Sequence, residues 1–236
     1  METTKEYLQR ITEEIDQEIS DYIKNEDEGV WGVKDGIINI DLYADKNPKI
    51  LWILKDAYES DGDGGFDLKK WINDKNSSRE LNPTERNMAY IAYGVYNNVS
   101  SYDEIAKAKE IDLLNSLKSI AYINLKKLPI TDGGKRSNMA DIHKAYDREH
   151  DKRIIHRQLK EYLPNIVIAG GTIEVLKDWN LTDQKKISGI PYYEKDGQFY
   201  LAAYHPSYVA GKKARVENII TAIRQLISRL TINKNN

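Results

Sequence analysis

Four short apolar runs, Ile50–Leu54, Ile120–Leu125, Ile166–Ala169 and Phe199–Tyr204, interrupt a chain that is otherwise patterned at helical spacing. Runs this short and continuous predict strands buried on both faces of a parallel sheet. Residues 5–24 place Leu8, Ile11, Ile15, Ile19, Tyr22 and Ile23 three or four apart, one stripe of an amphipathic helix. Met88, Ile91, Ala92, Val95 and Val99 repeat that spacing over 84–99, with Asn82-Pro83-Thr84 as a start signal. Residues 101–118 read as helical, 138–162 as a long charged helix stopped by Pro164, and 172–179 as a short helix after Gly170-Gly171. Val216, Ile219, Ile220, Ile223, Leu226, Ile227 and Leu230 line one face of a C-terminal helix, followed by a frayed tail over 231–236. In Ile37–Tyr43, Ile38, Ile40 and Leu42 alternate with other residues, which predicts an edge strand or hairpin.

Apolar strands alternating with helical segments predict an α/β fold, a three-layer αβα sandwich with a mostly parallel central sheet. At 236 residues the chain fits one domain over 1–236, with 1–30 as an N-terminal helical extension packed on the core. Hydrophobic residues at 40% and no apolar run near the roughly 20 residues of a membrane span predict a soluble protein without a membrane partner. The start lacks the basic flank and apolar centre of a secretory signal, so the expected location is cytoplasmic. The absence of cysteine excludes disulfides, thiolate zinc sites, cysteine nucleophiles and cysteine-ligated clusters. His143, His150 and His156 have no partner four residues away among themselves and read as surface residues, so no metal is expected. A formal net charge of −2 offers no global attraction to nucleic acid. Any such surface must come from local pairs: Lys126-Lys127, Lys135-Arg136, and Lys212-Lys213 with Arg215.

Ligand sites on a parallel sheet form beyond the carboxyl ends of its strands. Just past the central apolar runs stand Asp56 and Tyr58, Asn124, Gly170-Gly171-Thr172, and His205-Pro206-Ser207. A carboxylate can orient or activate water, although an aspartate at a strand end also serves as a turn former or helix cap. An asparagine amide offers a donor and an acceptor to a ring edge, or equally to buried backbone groups. A histidine can donate to a developing anion, and the Gly-Gly pair can bring backbone N–H groups close to a phosphate.

The order and spacing of these patches resemble the uracil-DNA glycosylase superfamily. The matching elements are Lys55-Asp56-Ala57-Tyr58, Ile123-Asn124-Leu125, Gly170-Gly171-Thr172 and His205-Pro206-Ser207-Tyr208-Val209. The resemblance implies a glycosylase-like fold in which Asp56 positions or activates water, Asn124 reads an extruded base and His205 stabilises the departing base. It implies Tyr58 closing on the base and Phe66, or Trp71 in its place, stacking on the ring. Gly170, Gly171, Thr172, Ser207, Tyr208, Val209, Lys212 and Lys213 would meet phosphate or the strand. No cofactor is implied, and the partner is DNA or a nucleotide. The chain departs from the family pattern at Lys55, a neutral Gln there, at Ala57 and Tyr208, both prolines there, and at Val209, where a leucine wedge would stand. The expected activity is hydrolysis of the N-glycosidic bond of uracil or another damaged base. The alternatives are a non-catalytic nucleotide or nucleic-acid binding module, or a hydrolase of free nucleosides or nucleotides.

Overall fold

A computed structural model of the protein describes residues 2–26, 32–57, 66–129 and 138–233. In chain order the elements are α1 (Thr4–Glu26), β1 (Gly36–Ile37), α2 (Ile40–Ala44), β2 (Ile50–Leu54), α3 (Leu68–Asn73), α4 (Pro83–Tyr96), α5 (Tyr102–Ile105), α6 (Glu110–Lys118) and β3 (Ala121–Asn124). They continue with α7 (Met139–Tyr146), α8 (Glu149–Glu161), β4 (Ile166–Gly170), β5 (Lys185–Ile187), β6 (Ile190–Lys195), β7 (Gln198–Ala203) and α9 (Lys212–Asn233). The strands form one sheet in the order β1-β3-β2-β4-β7-β6-β5. β3, β2, β4 and β7 run parallel, while β1 at one edge and β6 and β5 at the other are antiparallel.

Every residue of β2, β3 and β4 is buried, which their apolar composition permits only because helices cover both faces. Alternate strand residues supply two cores. Trp52, Leu54, Tyr122, Ile168 and Leu201 pack with α4, α6 and α9 on one face. Leu51, Ile53, Ile123, Val167 and Tyr200 pack with α1, α7 and α8 on the other. The molecule is therefore α/β with three layers around a sheet whose centre is parallel, and among the described residues no helix is long and apolar enough to cross a membrane.

Several elements differ from the sequence expectation. The alternation over Ile37–Tyr43 is no strand beyond Ile37, because the Asn39 side chain accepts from Leu42 N–H at 3.1 Å and starts α2. The charged stretch 138–162 divides into α7 and α8 at Asp147-Arg148, so that Tyr146 turns into the core. Residues 101–118 likewise divide into α5 and α6. Residues 172–179 form two single 3₁₀ turns, Ile173–Val175 and Lys177–Trp179, not a helix. The hairpins β5–β6 and β6–β7 went unread. Their turns, Ser188-Gly189 and Asp196-Gly197, hold both residues at positive φ, the backbone of tight two-residue connections.

Candidate active site

Register brings the carboxyl ends of the four parallel strands to one row. Leu54 pairs with Asn124, Ile53 with Ala169, and Gly170 with Ala203. Asp56 and His205 each stand two residues beyond that row, on strands separated only by β4. Two strand spacings set their backbones roughly 10 Å apart, room for a planar guest between the side chains. The chain order of the parallel strands reverses direction at the β2–β4 boundary, the place where a doubly wound sheet opens a crevice.

Gly170 makes this approach possible. A Cβ there would lie 2.5 Å from Leu54 Cδ2 and 3.2 Å from Pro206 Cδ, so only glycine lets the His205-Pro206 turn settle against the end of β2. The Asn87 amide donates to the Pro206 carbonyl and ties the same turn to α4. Ser207 orients the imidazole, its backbone N–H donating to Nδ1 at 3.2 Å with its hydroxyl at 2.8 Å. With Nδ1 accepting, the proton of the neutral ring is assigned to Nε2.

Asp56 and His205 line one cavity of about 660 Å³, together with Phe66, Trp71, Tyr122 and Glu85. Phe66 is held by Lys34, whose N–H donates to the Phe66 carbonyl at 3.1 Å. Asp56 Oδ2 is buried with no hydrogen-bond partner among the described residues, an acceptor left for water or a ligand. Tyr122 is 8% exposed, and its hydroxyl makes no hydrogen bond among the described residues. Burial, and then the carboxylates of Asp35, Glu85 and Asp56, raise the phenol's pKa well above its ordinary value, so it enters the cavity as a neutral donor. Glu85 is buried at the start of α4, where it accepts from Asn82 N–H at 3.0 Å and lies 3.6 Å from Lys75 Nζ. Burial lifts its pKa despite the Asn82 N–H and Lys75, which act the other way. Lys75 also stands 4.5 Å over the Trp71 ring, at the outer lip.

Other residues singled out in the sequence sit elsewhere. Asn124 is fully buried and does not line the cavity; its N–H donates to Asp35 Oδ2 at 2.7 Å, and its Oδ1 has no hydrogen-bond partner among the described residues. Gly171 and Thr172 do not form an anion cradle. The Gly171 N–H donates to Ala203 O at 2.8 Å and the buried Thr172 hydroxyl donates to Ile53 O at 2.9 Å, so both donors are consumed inside the fold. Lys127 is buried against Asp35 and cannot track a phosphate backbone. His156, expected at the surface, instead contacts Tyr146 Oη at 2.9 Å and the Trp179 ring. Tyr208 and Val209 are exposed beyond His205, with Tyr208 stacked on Tyr204 at 5.4 Å and Arg215 4.5 Å over its ring. Lys212 and Lys213 flank Tyr102, and Lys213 pairs with Asp103 at 2.6 Å. Tyr58, Lys135 and Arg136 lie outside the described residues.

Tyr122 and Glu85 were missed. Tyr122 carried a signal, the only hydroxyl-bearing side chain in the run Ile120–Ile123, two residues before Asn124 and so on the same sheet face. Glu85 carried none, because as the third residue after Asn82 it reads as half of a capping box, which it also is. Among the described residues no group of three or more histidines and carboxylates is placed to hold a metal ion. No protein-family model matches the chain, and a search of curated proteins likewise finds no match.

Proposed function

We propose that the protein hydrolyses the N-glycosidic bond of a nucleobase in nucleic acid, in the manner of a DNA glycosylase. One observation carries the proposal: Asp56 and His205, delivered by strands far apart in the chain, share a cavity of about 660 Å³ lined in part by Phe66, Trp71 and Tyr122. Such a cavity suits one flat guest with polar edges. Asp56 orients water and steadies the oxocarbenium-like charge that develops on the sugar. His205 donates from Nε2 to the departing base. The electron pair of the C1′–N bond leaves with the base, the water oxygen bonds to C1′, and its proton passes to Asp56. A duplex base must first leave its stack, at a cost of about a few kcal/mol. The exposed Tyr204–Tyr208 pair under Arg215, directly beside His205, offers a platform on which neighbouring bases can stack.

A free-nucleoside hydrolase is the second reading, favoured by the consumption of the Gly171 and Thr172 donors, which removes the expected phosphate grip. Both are tested by incubating the protein with oligonucleotides carrying uracil or other damaged bases, and with free nucleosides, while scoring released base. Release from oligonucleotides, reduced about 100-fold or more by Asp56→Asn, is the expected result. Release from nucleosides alone would select the second reading, and no release from any substrate would overturn both.

A further inference from the structure

The charge on the cavity wall bears on which bases can leave. Asp56, Asp67, Asp74 and Glu85 all line it, against Lys70 and His205. Lys70 is already paired with Asp74, and Lys75, 4.5 Å over the Trp71 ring, lies 3.6 Å from Glu85. Asp56 Oδ2 faces no cation or donor among the described residues. Phe66, Trp71 and Tyr122 add three aromatic side chains to the wall, rings whose faces carry partial negative charge. Independently of the carboxylates, Tyr122 is a residue nine-tenths buried on the cavity wall whose hydroxyl is unpartnered among the described residues, which marks an acceptor on the guest.

A base such as uracil departs as an anion, and that anion would form among four carboxylates with His205 and Tyr122 as its donors. A base whose ring already carries a positive charge departs as a neutral molecule. Its cation is attracted in the ground state by the carboxylates and by the ring faces. Resting on the glycosidic-bond reading above, we infer that the site takes cationic, N-alkylated purine bases in preference to uracil. On cleavage the C1′–N bond pair moves onto the base nitrogen and cancels the ring's positive charge, while the water oxygen bonds to C1′ and its proton goes to Asp56. The donor that remains necessary is one to a carbonyl on the purine edge, which the Tyr122 phenol supplies.

The test titrates the full chain with 7-methylguanosine and with guanosine by calorimetry, in buffer that keeps the methylated ring cationic. A companion assay scores base release from oligonucleotides carrying 7-methylguanine or uracil. The expected result is binding of the cationic nucleoside about tenfold tighter or more, a preference that Glu85→Gln and Trp71→Leu each reduce, and faster release of 7-methylguanine than of uracil. Asp74→Asn, on the exposed lip, provides the same readout if Glu85→Gln disturbs folding. Equal affinity for the two nucleosides, with release of uracil, would overturn the charge preference and leave the glycosidase reading standing. No binding of either and no base release would overturn both together.

Discussion

Lys127 has no exposed surface, and its ammonium is held by both oxygens of Asp35, at 2.8 and 3.1 Å, and by Gln158 Oε1 at 2.7 Å. Gln158 Nε2 completes the group by donating to Asp35 Oδ1 at 2.9 Å. Such a pair tethers the start of the chain's first strand, the end of β3 and α8 to one another, yet its net stabilisation is small because both charges lost their water. Removing one partner is a different matter, since the other is left charged and unpaired. Asp35→Ala should therefore cost about 3–5 kcal/mol in urea unfolding, whereas replacing Asp35 and Lys127 together by apolar residues of similar volume should cost much less. A double variant as unstable as the single one would show that the pair itself, not the stranded charge, is what matters. The same residues show how far sequence reasoning reaches at this scale. Asp56 and His205 were legible because each follows an apolar run, a local pattern. The fates of Lys127, Gly171 and Thr172 were not, because whether a donor is spent is decided by residues distant in the chain.

Elements were legible where one periodicity persists and illegible where a single polar residue redirects it. The stripes of α1, α4 and α9 and the runs of β2, β3, β4 and β7 all appear near their expected places. The segment Ile37–Tyr43 keeps the alternation of a strand, but the Asn39 cap overrides it. Asp196-Gly197 between two stretches rich in Tyr, Phe and Ile was a hairpin signal in plain view. At the end of β4 the consequence for function is sharpest. Gly170 sits where Leu54 and Pro206 leave no room for a methyl group. Leu54 is 1% exposed in the packed core and Pro206 is rigid, so neither yields without moving a neighbour. Gly170→Ala should destabilise the fold by about 1–3 kcal/mol, the usual cost of overpacking. Because the strain falls on the turn carrying His205, base release by this variant should drop further than its folded fraction explains. Unfolding curves and turnover measured on the same preparation separate the two effects, and wild-type turnover in the folded fraction would refute the positioning role of Gly170.

Across the whole molecule, the three layers followed from composition and pattern, whereas the strand order did not, because pairing β2 with both β3 and β4 is a choice between non-local contacts. On the second face of the sheet α1 shares the cover with α7 and α8. Leu8, Ile11, Ile15 and Ile19 are each at most 5% exposed and pack with Leu51, Ile53, Ile155 and Leu159. Glu14 and Glu18 on α1 reach Arg157 of α8 at 2.9 Å, which fixes the rotation of the helix more than it adds to stability. Burying those four aliphatic side chains contributes roughly 6–12 kcal/mol at about 1.5–3 kcal/mol each. That is comparable to the whole net stability of a typical domain, about 5–15 kcal/mol. A chain lacking residues 1–26 should therefore show no cooperative unfolding transition. Ile15→Ala, which removes part of the same surface, should stay folded with a loss of about 2–5 kcal/mol. If the truncated chain instead unfolds cooperatively near the full-length midpoint, α7 and α8 alone must cover that face well enough, and α1 is an appendage on an independent core.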